Sequence, residues 1–395
     1  MPGLFEKIAL LTRLEDGPAA VEKILLSVYF EEGISTKALA QNAFLPLPVV
    51  AAVKKELEKT GLLAQEHGSR LTEAGRKFTA ETLGYAGLNR ILYKTLMRLN
   101  LSVFDPGTVS GADTVRLILA DRPRVDVTLD QSKGTPSTSI KRALLCLHHY
   151  SLIGKEILCL GDDDLVSVAL GILLKELFPD NKIKTRIHVI DIDPRFLAYI
   201  EKTAGAEKLP ITCHEHDLRE PIPGNLQNRF DCFFTDPPYT IPGLDLFLTR
   251  GVSALKKQTG LTVFLSFAHK APGFTLKMHQ AILDAGFAVH EIIPRFNEYE
   301  GAEIIGNTGQ MIVLKTAGHT ASLPEGKYTG PLYTGELRKT LRTYQCTTCG
   351  ARYKVGMDCD FNTVEELKEK TCPACRGATF ELILRDIIKQ EGGRM

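Results

Sequence analysis

Apolar residues recur at helical spacing through PAAVEKILLSVYFEEG, and Gly33 stops the pattern. Ser35 stands where it can cap a short helix, TKALAQN, and Pro46 and Pro48 open another, VVAAVKKELEKTG, which ends at Gly61. LLAQEHGSRLTEAGRKF then predicts a strand, a turn at Gly68, a second strand and a new helix start. From about residue 110 to 316 short apolar runs alternate with amphipathic stretches. EILCLG, TRIHVID, LPITCHEHD, FDCFFTD, GLTVFLSF, AVHEIIP and QMIVLKT predict strands, with helices from Leu165, Pro194, Gly243 and Phe274. Such alternation requires right-handed crossovers and a mostly parallel sheet covered on both faces, with ligands gathered at the carboxyl ends of the strands. Beyond residue 320, SLPEGKYTGPLYTG reads as a linker to two cysteine pairs that flank a helix candidate, VEELKEK.

Length and charge narrow this picture. A chain of 395 residues suggests two or three domains, here 1–100, 110–325 and 340–395. Lys and Arg number 48 against 47 Asp and Glu, so no whole-molecule attraction to nucleic acid or an anionic membrane is expected. No run of about 18 uncharged apolar residues is present, and the opening residues are broken by charges, which makes the cytoplasm the expected location. The order of the first region resembles a winged helix-turn-helix, whose usual task is DNA binding through the helix around Val49–Lys59. Residues 1–100 carry only 13 basic against 11 acidic side chains, and Glu56 and Glu58 interrupt Lys54, Lys55 and Lys59. Packing or dimerisation is the preferred role for this region, and a homo-oligomer is expected.

Cys346 and Cys349 with Cys372 and Cys375 form CxxC-x22-CxxC, two knuckle-like turns each followed by a strand. Four thiolates suit tetrahedral zinc, and a module of about 50 residues has too little core without such a staple. The expectation is a structural zinc ribbon, with a rubredoxin-like iron site as the alternative. Cys359 lies between the pairs and is not counted as a ligand.

Acids cluster where the strands end. The first central strand runs into Gly161-Asp162-Asp163-Asp164, where nucleotide-binding turns are normally glycine-rich. Helix capping needs one aspartate; three adjacent carboxylates repel one another and should attract a cation. Asp191 closes the second strand, placed to accept from ribose hydroxyls, with Asp193 as a cap; Asp217 follows the third, placed to meet an adenine amino group. The fourth ends in Asp236-Pro237-Pro238-Tyr239-Thr240, where a carboxylate beside an aromatic ring suits an amine nucleophile. This DPPY pattern resembles the motif of amino-group methyltransferases, and the two closing strands resemble the terminal hairpin of the class I methyltransferase-like fold. The carboxylate of S-adenosylmethionine would suffer beside three aspartates, whereas decarboxylated S-adenosylmethionine has lost it, and a polyamine is then the fitting acceptor.

With GDDDLVSVAL and FTDPPYT in this order behind a winged-helix-like region, residues 15–320 resemble the branched-chain polyamine synthases. The resemblance implies an α/β, Rossmann-like class I methyltransferase-type domain, preceded by a winged helix and followed here by the zinc ribbon, which is not a general family feature. It implies a family of thermophiles that transfers aminopropyl groups from decarboxylated S-adenosylmethionine to the secondary amine of spermidine and releases methylthioadenosine. Carried onto this sequence, Asp163 is the expected acid-base residue, with Asp164 next, and Asp236 holds the acceptor amine. Gly161, Asp162, Asp191 and Asp217 would serve the cofactor, Asp162 either binding its ammonium or capping the turn. Tyr239 would line the acceptor channel, and Gln131, in a loop over the pocket with Asp130, would help close it. Linear spermidine-type synthesis stays open within this reading. The rivals are a nucleic-acid amino methyltransferase, discouraged by 24 basic against 26 acidic side chains in residues 110–330, and a ligand-sensing transcription regulator.

Overall fold

The computed structural model describes residues 3–302, 306–318, 326–356, 359–361 and 363–389. Helices α1 (Leu4–Thr12), α2 (Pro18–Phe30), α3 (Thr36–Ala43) and α4 (Leu47–Lys59) pack with an antiparallel hairpin, β1 (Leu63–Gln65) and β2 (Ser69–Leu71). Val21, Ile24, Leu25, Leu39, Val53 and Leu57 are fully buried between them, each contributing roughly 1.5–3 kcal/mol. Ser35 caps α3 by accepting from the Ala38 amide at 3.1 Å, as its position in the sequence suggests. The outward face of α4 exposes Leu47, Pro48, Ala51 and Ala52 in its first two turns and Lys55 and Lys59 beyond them. Lys54 turns inward to Thr36 and Gln65, and Lys59 pairs with Glu56 at 2.6 Å.

Short helices α5 (Glu73–Lys77), α6 (Arg90–Leu96) and α7 (Ala112–Ala120) lead into the main sheet. Its strands are β3 (Lys133–Gly134), β4 (Glu156–Leu160), β5 (Arg186–Asp191), β6 (Ile211–Glu215), β7 (Cys232–Thr235), β8 (Thr262–Ala268), β9 (Phe287–Glu300) and β10 (Thr308–Thr316), in the order β3-β9-β10-β8-β7-β4-β5-β6. β6, β5, β4, β7 and β8 are parallel; β10 runs antiparallel between β8 and β9. The closing hairpin is thus present, but its second strand is inserted inside the first. On β4, Ile157 and Cys159 face the core beneath α8 (Pro136–His148), α9 (Val166–Leu177) and α10 (Pro194–Glu207). Leu158 and Leu160 face the opposite core, beneath α11 (Ile241–Ala254) and α12 (Pro272–Asp284), which is why the strand reads as an unbroken apolar run.

Glu22 of α2 pairs with Lys155, the residue ahead of β4, at 2.6 Å, and Glu6 accepts from Gln258 ahead of β8. The N-terminal unit therefore docks at the amino ends of the parallel strands, away from the end where ligands collect. Of residues 322–335, read from the sequence as linker, 322–325 lie outside the described residues, and 326–335 with 336–337 are packed as a strap. Tyr328 donates its amide to Arg219 (2.8 Å), the Leu332 carbonyl accepts from Thr240 (2.8 Å), and the Thr334 amide, at the start of α13 (Thr334–Leu337), donates to Asp130 (2.7 Å). The ribbon follows directly as β11 (Arg338–Cys346), β12 (Arg352–Val355), α14 (Val364–Lys370) and β13 (Phe380–Lys389), in the sheet order β12-β11-β13. β12 and β13 are the strands expected after the cysteine pairs; β11, ahead of the first pair, is additional. Among the described residues no helix is long and apolar enough to cross a membrane.

Candidate active site

The turn after β4 sorts the three aspartates into three environments. Asp162 is 2% exposed and accepts from the amides of Val166 (2.7 Å) and Ser167 (3.1 Å), capping α9, while its own amide donates to Asp191. Asp164, also 2% exposed, accepts from the Gly134 amide at 2.7 Å and from Arg142 at 3.0 Å. Asp163 alone opens to the cleft, with one oxygen accepting from the Ser132 amide at 2.8 Å. Of the two roles read for Asp162, capping is the one its carboxylate performs in this geometry. Burial pushes Asp162 up to about 7. Burial, with the neighbouring charges of Asp164 and Asp236, holds Asp163 well above the usual carboxylate range.

Asp163, Asp236, Gly161, Asp191, Asp217 and Gln131 line one cleft at the carboxyl ends of the strands, open to solvent on its outer side. Asp191 sits at the end of β5, held by the Asp193 amide at 2.8 Å and raised by burial. Asp193 caps α10, and Arg195 with Gln131 holds it below its ordinary value in spite of burial. Gln131 Nε2 is thereby spent on Asp193, and its oxygen accepts from the Asp126 amide, so this residue pins the loop in place over the cleft. Asp217 accepts from the Arg219 amide beside His216, whose Nε2 is buried without a partner among the described residues. Leu332 and Tyr333 from the strap form the outer wall, with Arg219 over the Tyr333 ring at 5.1 Å. Nothing in the local pattern marks this wall, because its tyrosines sit among glycines and prolines.

A second, smaller pocket runs from Asp163 past Asp236 to Arg142 and Ser266. Asp236 accepts from Arg142 (2.9 Å) and from the Tyr299 hydroxyl (2.8 Å), both on Oδ2. Tyr239 donates to Tyr299 at 3.2 Å and lies beneath Lys270, 5.4 Å from the ring centre. The cation that three adjacent acids should attract is thus supplied by the chain itself. Arg142 and Tyr299 escaped the sequence reading; the available signal was an arginine inside the otherwise apolar helix face of KRALLCL. Their presence also revises one premise: a single aspartate of the turn, not three, faces a ligand as an open carboxylate.

Away from the cleft, the sulfurs of Cys346, Cys349, Cys372 and Cys375 lie within 4.8 Å of one another. Separations of 3.6 Å for Cys346 to Cys375 and for Cys349 to Cys372 match four thiolates about a metal with bonds of about 2.3 Å. Tyr353 reaches the Cys372 sulfur at 3.1 Å, a contact of the kind that orients a ligand. Cys359 is outside this group.

The family model for the branched-chain polyamine synthase A C-terminal domain matches residues 112–335. The chain belongs to the branched-chain polyamine synthase family. The N(4)-bis(aminopropyl)spermidine synthase of Thermococcus kodakarensis, a member of that family, is 31% identical over 260 residues, 64% of this chain and 70% of the relative. An uncharacterised protein of Methanocaldococcus jannaschii is 38% identical over 389 residues, 98% of this chain and 94% of its own, a match that runs through the cysteine module. Among solved structures, the branched-chain polyamine synthase of Thermus thermophilus, in complex with N4-aminopropylspermidine and 5'-methylthioadenosine, aligns with a TM-score of 0.52 and 25% identity, covering 84% of this chain and 98% of that one. The α/β, methyltransferase-like architecture and the family both agree with the sequence reading.

Proposed function

We propose that the chain is an aminopropyltransferase that moves aminopropyl groups from decarboxylated S-adenosylmethionine to the secondary amine of spermidine, producing a branched polyamine and methylthioadenosine. The observation that carries this reading is one cleft in a branched-chain polyamine synthase, with Asp163 open at the junction of the GDDD and DPPY turns and Asp236 beside it. Asp191 and Asp217 are suited to ribose and adenine at one end, and Gly161 lets the backbone approach the nucleoside. Asp236 and Tyr239 suit the acceptor amine at the other. The amine lone pair attacks the aminopropyl carbon bonded to sulfur; the carbon–sulfur pair goes to the sulfonium, which leaves as a neutral thioether. Asp163 takes the proton that the nitrogen sheds, and Asp236 orients the nitrogen for close approach. The cysteine module is proposed to hold structural zinc; with all four positions taken by sulfur it does no chemistry.

Because Arg142 compensates two of the carboxylates, open acids alone do not exclude S-adenosylmethionine. What supports the polyamine reading over nucleic-acid methylation is family membership and the near balance of basic and acidic side chains in every region, which leaves no concentrated cationic face for phosphate contacts. Incubation with spermidine and either cofactor, followed by mass spectrometry, is expected to give aminopropylated spermidine and methylthioadenosine from decarboxylated S-adenosylmethionine. Methyl transfer to nucleic acid without aminopropyl transfer would overturn the assignment. A second reading concerns the acceptor: Methanocaldococcus jannaschii holds both a synthase similar to this chain and the ribbon-spanning relative, which favours different acceptors for the two forms. A panel of linear polyamines in the same assay separates them.

Gly134 provides a local check on the site. A Cβ at this position would lie 2.4 Å from Asp164 Oδ1, so Gly134→Ala must displace the carboxylate. A shift on that scale is expected to lower turnover by about 100-fold, measured by methylthioadenosine release; activity within a factor of three of the parent would show that the position of Asp164 is not critical.

A further inference from the structure

Arg142 lies on the inner face of α8 and is only 3% exposed. Every nitrogen of its guanidinium is engaged. Nε donates to Asn297 Oδ1 (2.9 Å), Nη1 to Asp164 Oδ2 (3.0 Å), and Nη2 to Asp236 Oδ2 (2.9 Å), Ser266 Oγ (3.1 Å) and the Tyr299 oxygen (3.1 Å). Asn297 is in turn fixed through Nδ2 to Ser266 and to the Gln310 carbonyl, so β8, β9 and β10 together set the plane of the guanidinium. One planar fork thereby joins the turn after β4 to the turn after β7, a geometry that a lysine cannot reproduce.

We propose that Arg142 is the internal counter-cation of the acceptor site: it pairs with Asp164 and Asp236 and aims them, so that Asp163 is the one carboxylate of the group left to exchange a proton with the amine. This rests on the aminopropyltransferase reading. Arg142 acts through its partners and touches no substrate; it is a positioning residue. Because Arg142 and Tyr299 both use Oδ2 of Asp236, Oδ1 is left for the acceptor. The ionisable groups around it are Asp163 and Asp164 from the GDDD turn, Asp236 and Tyr239 from the DPPY turn, Tyr299 from β9, Cys159 from β4, and Arg122, which reaches the Gly134 carbonyl beside Asp164. Arg142 is the one cation in this set that bonds the carboxylates directly. Losing it removes the interaction that opposes the effect of burial on Asp164, which must then titrate at higher pH.

The test compares Arg142→Met and Arg142→Lys with the parent in three measurements: the pH profile of acceptor kcat/KM, methylthioadenosine binding by calorimetry, and a carbon-13 NMR titration of aspartate carboxyls. In Arg142→Met the acidic limb is expected to move up by about 1–3 pH units, with acceptor kcat/KM down at least about 100-fold. Methylthioadenosine binding should change less than about threefold, since no nucleoside-facing group is touched. Arg142→Lys, which retains charge but not the fork, should restore the limb to within about half a unit while recovering only part of the rate. An unchanged limb in both variants, with loss of thermal stability alone, would reduce Arg142 to a structural brace and overturn the proposal. If Arg142→Met does not fold, the limb and the partial rate of Arg142→Lys decide. The NMR titration needs no turnover, so failure of the parent to transfer aminopropyl groups sinks the functional reading while leaving the effect of Arg142 on Asp164 and Asp236 measurable.

Discussion

Asp163→Asn lowers kcat for aminopropyl transfer by about 10²–10⁴-fold while raising the melting temperature. The two effects have one origin. Asp163 is the carboxylate that opens to the cleft, yet it is deep enough for burial and its neighbours Asp164 and Asp236 to hold its pKa well above the usual range. A carboxyl whose folded pKa is raised stabilises the fold fully below its unfolded pKa, and this contribution is lost as pH rises through the folded value. Above the unfolded carboxylate range the buried carboxyl therefore costs the native state stability, whether it holds its proton or gives it up. Asparagine removes the charge and retains an oxygen that can accept from the Ser132 amide. The melting difference between variant and parent should accordingly widen from pH 5 to pH 8, as differential scanning calorimetry can measure. Near-normal turnover would remove Asp163 from the proton-transfer role; a lower melting point at every pH would contradict the electrostatic account.

The second large effect is expected in the ribbon. Among the described residues, its buried apolar cluster is Val355, Phe361 and Leu367, with Tyr344, Tyr353 and Phe380 packed around them. Such a core is far too small to fold 50 residues, whereas structural zinc in comparable modules contributes about 10–16 kcal/mol of apparent binding. The double variant Cys372→Ser, Cys375→Ser should lose the single metal that elemental analysis is expected to find in the parent. Limited proteolysis should then cut within 338–389 and leave a resistant fragment carrying the main sheet. A metal content unchanged by the substitutions would dismiss the four-cysteine site, and iron in place of zinc would assign it to the rubredoxin-like alternative.

The main sheet was legible because β4, β5, β7 and β8 are buried on both faces and read as unbroken apolar runs bounded by helix starts. The acids were legible because each one ends a strand. Arg142, Asn297 and Tyr299 were not, since their pairing spans about 155 residues of chain and leaves no local trace. Asn297 and Tyr299 sit in RFNEYE, a polar continuation of AVHEIIP that carries no strand signal of its own, although β9 extends to Glu300. Partnering across the sheet, with β10 on one side and β3 on the other, turns that segment into a strand and delivers both side chains to the site. The strap was missed for a related reason: it is ordered by contacts to Thr240, Arg219 and Asp130, not by a pattern within itself.

That strap makes the ribbon a lever. Tyr333 walls the cleft, and the ribbon's first strand begins at Arg338, so the connection spans at most about 17 Å even fully drawn out. Any larger excursion of the ribbon must pull Tyr333 outward and breach the cleft wall, while a ribbon held still keeps the wall shut. A module proposed to be purely structural is thereby mechanically geared to the proposed active site.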